Sequence, residues 1–184
     1  TVPVKPQDVC VIIPGYNEAK NIERVILAVK KLGFPILVVD DGSKDDTVSV
    51  ARQSGADVVS YAPNQGKGAA LRRGIHWLHQ KSSYEAAIFM DSDGQHDAQD
   101  LSNFLRALED PRVDLVIGNR MSDPKGMPFI RRLTNVFMSA ILSAAAGKRV
   151  PDTQCGYRAV RRQALSRISL QTTRFEIESE MILV

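Results

Sequence analysis

Cysteine is scarce in this 184-residue chain: Cys10 and Cys155 stand far apart, with no CxxC and no metal-ligand spacing. That excludes a disulfide framework and points to a reducing, cytosolic setting. A chain of this length buries a full core without such staples. Long apolar runs are missing too. The longest weakly polar stretch, Leu133 to Gly147, is broken by Thr134, Asn135, Ser139 and Ser143, whereas a spanning helix needs about 20 mostly apolar residues. The opening TVPVKPQD is polar and carries no signal-peptide pattern. Of the three histidines, His76 and His79 sit three apart on a helix-like stretch with no third ligand nearby, which reads as surface rather than a metal site. His96 flanks an Asp pair and takes no assigned role, and Cys155 reads as a small packing residue.

Two nucleotide motifs are absent. A Walker A loop would need Gly at the position of Tyr61 and Ser or Thr at that of Gly68, around Gly66-Lys67. A dinucleotide fingerprint fails because the first loop has only Gly15, and Leu71 stands where Gly66-x-Gly68 requires a third glycine. Kinase-like and dehydrogenase-like readings fall with them.

Charge is present but uneven. Residues 1–118 carry 13 Lys/Arg against 16 Asp/Glu, whereas residues 119–174 carry 11 against only Asp123 and Asp152. A basic late segment suits a phosphorylated ligand, anionic lipid or nucleic acid, or is simply a solvated surface.

Short β-branched runs alternate with helical patterns, which predicts an α/β fold with a mostly parallel sheet flanked by helices. Strands are expected at Val9–Ile13, Pro35–Val39, Asp57–Tyr61, Ala86–Met90 and Val113–Ile117, and helices at Glu18–Lys31, Asp45–Gln53, Gly68–Gln80 and Ala98–Leu108. Past Gly118 the alternation stops, and Arg131–Ala146 reads as one helix with a broad apolar face, packed in the core or lying in a lipid headgroup layer. The run Phe175–Val184 ends without a stop signal, so a single domain spanning 1–184 is expected to continue further.

Ligands of open α/β sheets bind at the carboxyl ends of the strands, where this sequence gathers its polar residues. Strand one runs into Pro14-Gly15-Tyr16-Asn17-Glu18 and strand two into Asp40-Asp41-Gly42-Ser43. Strand three leads to Asn64-Gln65-Gly66-Lys67-Gly68 and strand four to Asp91-Ser92-Asp93-Gly94-Gln95-His96. Asp91 and Asp93 fall on one face if the strand persists, a pair that a divalent cation would relieve; either could instead cap the following helix. Asp40-Asp41 reads as a turn or as carboxylates reaching a base or ribose. Lys67 is a solvated loop lysine or a phosphate cation, and Tyr16 stacks on a base or packs.

Together these loops resemble the family 2 glycosyltransferases of GT-A fold, closest to the polyprenyl-phosphate (dolichyl-phosphate-type) mannosyl- and glucosyltransferases. The matching stretches are VIIPGYNEAKNI (11–22), VVDDGSKDDT (38–47), NQGKGAALRRG (64–74), FMDSDGQHDAQDL (89–101), VIGNR (116–120), RRLTN (131–135), DTQCGYRAV (152–160) and FEIESEM (175–181). The resemblance implies a nucleotide-sugar pocket of Pro14, Tyr16, Asn17, Glu18, Asp40, Asp41, Lys67, Asp91, Ser92 and Asp93. It implies Mg²⁺ or Mn²⁺ at Asp91, Asp93 and Gln95, with Arg120 and Arg132 joining the Asp pair in catalysis. Asn135, Asp152, Gln154 and Arg158 would line the acceptor side.

The resemblance further implies inverting transfer of a hexose from a UDP- or GDP-sugar to a polyprenyl phosphate at the cytoplasmic membrane face, with peripheral membrane contact and no nucleic-acid partner. Members of the family continue beyond the last matching stretch. Transfer to a saccharide or glycolipid hydroxyl is the rival, with Asp152 as candidate base. A silent nucleotide-sugar-binding module is disfavoured by the intact Asp pair.

Overall fold

The computed structural model describes residues 4–119 and 155–167. Their strands form one six-stranded sheet in the order β3-β2-β1-β4-β6-β5. The strands are β1 (Val9–Gly15), β2 (Ile36–Asp40), β3 (Asp57–Ser60), β4 (Ala86–Phe89), β5 (Leu115–Ile117) and β6 (Arg158–Arg161). The helices are α1 (Ile22–Lys30), α2 (Thr47–Gln53), α3 (Lys67–His79), α4 (Leu101–Leu108) and α5 (Arg162–Arg167). Strands β1 to β4 pair in parallel, and β6 runs antiparallel between β4 and β5.

Side chains of a strand alternate between faces, and β1 divides the core accordingly. Val9, Val11 and Ile13 pack on one side with Ile22, Val25, Ile26 and Val29 of α1 and Leu101, Phe104 and Leu108 of α4. Cys10 and Ile12 pack on the other with Ala70, Leu71, Ile75 and Leu78 of α3. Crossovers between parallel strands are right-handed. The chain steps outward from β1 to β3 and then returns to β4, so α3 must lie on the face opposite α1. The order in which strands are added thus reverses between the parallel neighbours β1 and β4, and the crevice at their carboxyl ends is the topological switch point.

The predicted elements that fall within the described residues are present, with shifted ends. The helix expected from Glu18 begins at Ile22, because residues 18–21 form a turn in which the Asn21 and Ile22 amides donate to the Glu18 carbonyl. The strand expected through Met90 ends at Phe89. Strand β6 and helix α5 lie where no alternation was expected. Because β6 is antiparallel, its entering end stands beside the exits of the others: Arg158 pairs with Phe89. The expected helix Arg131–Ala146, and the residues Arg120, Arg132, Asn135, Asp152 and Gln154, lie outside the described residues.

Candidate active site

The rim is built by hydrogen bonds that tie one loop to the next. The Asn17 amide donates to Ser43 Oγ at 2.8 Å, and the Lys44 amide donates back to Asn17 Oδ1 at 2.8 Å. Asn17 holds φ 56° to do so, a conformation Asn tolerates better than most residues. The Glu18 amide donates to Thr47 Oγ1 at 2.8 Å, and Ala19 to Asp45 Oδ2 at 3.2 Å. Tyr16, at the tip of the first loop, is 42% exposed, so its ring is free to stack rather than buried as packing. Pro14 closes β1 with Gly15, and Ser92 is buried against that end, its Oγ 3.7 Å from where a Cβ on Gly15 would sit.

Asp40 and Asp41 are both buried, and backbone and hydroxyl donors engage them. Asp40 accepts from Ser60 Oγ at 2.8 Å and from the Ser43 amide at 3.2 Å. Asp41 accepts from the amides of Gln65 at 2.8 Å and Gly66 at 2.7 Å. A buried carboxylate requires such partners. These two residues therefore shape the rim whatever else they touch. The Asp41 bonds fix the loop before α3, whose first residue is Lys67.

Lys67 reaches across to Asp91, with Nζ 2.6 Å from Oδ1. His96 Nε2 lies 3.2 Å from the second oxygen, Oδ2. Burial alone would raise the Asp91 carboxyl; the His96 hydrogen bond and the Lys67 charge outweigh it and hold the group well below the usual carboxylate range. Just before β6, Gly156 closes over this pair: an added Cβ would lie 2.7 Å from Asp91 Oδ2 and 3.0 Å from both Asp91 Oδ1 and Lys67 Nζ.

The expectation that Asp91 and Asp93 share a strand face is corrected. The strand ends before them, since Asp, Ser and Gly favour turns, and Gly94 takes φ 75°. Asp91 turns inward to Lys67 and His96, while Asp93 is exposed and accepts the Gln95 amide at 2.9 Å. The helix cap in this segment is Asp97, which accepts from the Gln99 amide. Among the described residues no three His, Cys, Asp or Glu side chains gather as a metal cluster. Asp91, Asp93 and Gln95 nevertheless offer hard oxygen donors, the set that suits Mg²⁺ when substrate phosphates supply the rest. The residues fit a cation brought in with a diphosphate.

Arg158 is buried in β6, its Nε donating to the Cys155 carbonyl at 3.1 Å. Sequence reasoning gave no role to His96 and did not single out Gly156 or Tyr157. Only their places beside the Asp pair and inside DTQCGYRAV hinted at them, because the antiparallel entry of β6 was not foreseen.

Comparison with known proteins accords with this geometry. The profile described as glycosyl transferase family 2 matches residues 10–169. The chain is 33% identical over 179 residues to the polyprenol monophosphomannose synthase of Mycolicibacterium smegmatis, covering 91% of this chain and 67% of that protein. It is 28% identical to the UDP-N-acetylglucosamine–dolichyl-phosphate N-acetylglucosaminyltransferase of Methanococcus voltae, covering 94% of this chain and 78% of that one. Among solved structures, the glucosyl-3-phosphoglycerate synthase of Mycobacterium tuberculosis, crystallised with Mn²⁺, UDP-glucose and phosphoglyceric acid, superposes with a TM-score of 0.74 at 26% identity. That match covers 94% of this chain, which spans 63% of the solved enzyme's length. A GT-A-like sheet, a rim tied around Asp91 and a profile match over most of the chain lead to one statement: this chain belongs to glycosyl transferase family 2, close to its polyprenyl-phosphate sugar transferases.

Proposed function

We propose that the chain is the catalytic domain of an inverting hexosyltransferase that moves a sugar from a UDP- or GDP-sugar to a polyprenyl phosphate. The observation that carries this reading is the Lys67–Asp91 pair at the switch point, an ammonium and a carboxylate 2.6 Å apart. Such a pair suits a diphosphate: the lysine supplies fixed positive charge where negative charge develops. Mg²⁺ or Mn²⁺, bound through Asp91, Asp93 and Gln95, would neutralise the leaving diphosphate as a Lewis acid. Tyr16 presents an exposed ring to the base, and Pro14, Asn17, Glu18 and Ser92 shape the pocket around it.

In the transfer, an acceptor phosphate oxygen attacks the anomeric carbon from the face opposite the leaving group. The new C–O bond forms as the bond to the donor diphosphate breaks, and the electron pair departs with the nucleoside diphosphate. A lipid phosphate is already anionic, so no base need remove a proton; orientation and charge screening are the enzyme's tasks. The composition of residues 119–174 supports this, with eleven basic side chains and two acidic ones. Arg120 and Arg132 are the proposed phosphate contacts, with Asn135, Asp152 and Gln154 on the acceptor side, where the buried Arg158 supports the Cys155 backbone rather than meeting substrate. The acceptor implies peripheral contact at the cytoplasmic membrane face; among the described residues no helix is long and apolar enough to cross a membrane.

The reading is tested in the full-length protein by following sugar transfer from UDP- and GDP-hexoses with Mn²⁺ or EDTA, offering polyprenyl phosphate or a soluble hydroxyl acceptor. Transfer to the lipid phosphate that survives Asp152→Asn and collapses in Arg132→Ala supports it. Transfer to the hydroxyl acceptor alone, lost in Asp152→Asn, overturns it.

A further inference from the structure

The role of His96 follows from what surrounds it. Its ring lies 4.7 Å from that of Tyr157, which in turn lies 4.6 Å from Phe104 of α4. The Tyr157 hydroxyl donates to the Asp97 carbonyl at 3.1 Å, which locks the aromatic ring in place. The imidazole is thus wedged between β6 and the turn after β4, with a side-chain exposure of only 7%. Among the described residues, its polar partner is Asp91 Oδ2. An ionised carboxylate only accepts hydrogen bonds, so Nε2 must carry the proton. Gly156 meanwhile lies over the whole carboxylate: an added Cβ would stand 2.7 Å from Oδ2 and 3.0 Å from Oδ1. Oδ2 is thus held by the imidazole, while Oδ1 is held by Lys67 Nζ at 2.6 Å.

We propose that His96 is a positioning residue for Asp91: wedged on Tyr157 and seconded by the bare backbone of Gly156, it fixes the orientation of the carboxylate that the donor's diphosphate and its cation meet at the rim. The proposal rests on the site reading above and assigns His96 no contact with substrate. Partners that orient a metal-binding carboxylate are commonly worth about ten- to a hundredfold in metal affinity.

Three variants of the full-length protein test it. His96→Phe keeps a ring against Tyr157 and removes the hydrogen bond. His96→Gln restores a donor near the Nε2 position. Gly156→Ala pushes a methyl toward Oδ2. Long-range ¹H–¹⁵N spectra of the metal-free wild type should show the proton on His96 Nε2, and its resonance should move in Asp91→Asn. UDP and GDP affinities are then measured in Mn²⁺ and in EDTA. With Mn²⁺, His96→Phe and Gly156→Ala should bind about tenfold or more weakly, and His96→Gln should recover most of the loss. In EDTA His96→Phe and His96→Gln should match the wild type, a pattern that general damage to the fold would not give. A proton on Nδ1 alone, or His96→Phe binding like wild type in Mn²⁺, overturns the proposal. A wild type indifferent to Mn²⁺ sinks the proposed metal chemistry instead, and the imidazole spectrum still decides whether His96 holds Asp91.

Discussion

The amide of Gly66 donates to Asp41 Oδ2 at 2.7 Å, so a buried carboxylate at the end of β2 holds the loop that delivers Lys67 to Asp91. The Gln65 amide engages the other oxygen. Asp41→Asn must turn one NH₂ toward an N–H donor and therefore loses one of the two bonds. Charged hydrogen bonds of this kind contribute about 1.5–3 kcal/mol each. Urea unfolding should show a loss on that order, accompanied by weaker UDP or GDP binding as the loop loosens. Unchanged stability would mean that the two amides find other acceptors.

Gly74 sets helix propensity against packing. In an exposed helix, Gly→Ala gains about 1 kcal/mol. Here an added Cβ would stand 2.7 Å from Ile12 Cγ2 and 3.3 Å from Val39 Cγ2, two fully buried strand residues. Overpacking typically costs about 1–3 kcal/mol, so Gly74→Ala should be net destabilising because α3 is lifted off β1 and β2. A thermal melt at or above the wild-type midpoint would refute that close approach.

Alkaline pH should unfold the protein early. Burial, with some help from Asp57, pushes the Cys10 thiol from 9.0 up to about 12. Burial likewise raises the Tyr61 and Tyr157 hydroxyls. A group raised on folding stabilises fully below its unfolded pKa, and that contribution disappears as pH climbs toward the folded value. For Cys10 the window runs from about 9 to about 12, with a slope of up to about 1.4 kcal/mol per pH unit. Urea midpoints should fall steadily above pH 9 and fall less in Cys10→Ala. Identical alkaline profiles for the two proteins would show that Cys10 does not contribute.

The parallel half of the fold was legible because short apolar, β-branched runs buried on both faces alternate with helical stretches such as that of Ile22, Val25, Ile26 and Val29. Strand β6 was not legible. Its four residues, RAVR, start and end on arginine, and the buried Arg158 guanidinium donates to the Cys155 carbonyl. Missing β6 hid Gly156 and Tyr157 from the site, since an antiparallel strand enters where parallel ones exit. The Asp pair was legible as chemistry, but a spacing of two suggested a shared strand face where the chain in fact makes a turn.

That turn gives Asp91 and Asp93 different work, and substitution should separate them. Asp91 is partly buried between Lys67 and His96, whereas Asp93 is exposed and accepts only the Gln95 amide among the described residues. Asp93→Asn leaves an oxygen to accept that amide and desolvates nothing, so metal-free stability should stay within about 0.5 kcal/mol of wild type. Asp91→Asn removes the charge that compensates Lys67 and the acceptor for His96, and should cost on the order of 2 kcal/mol in EDTA. In binding the two should agree: each removes an anionic oxygen from the proposed cation site, so Mn²⁺ should no longer strengthen UDP or GDP binding. Urea melts in EDTA and nucleotide titrations with and without Mn²⁺ check both halves. If Asp93→Asn kept a full Mn²⁺ effect, the cation would have to be held without Asp93, and the proposed ligand set would be wrong. If Asp91→Asn were as stable as wild type, the Lys67–Asp91–His96 contacts would be incidental to the fold.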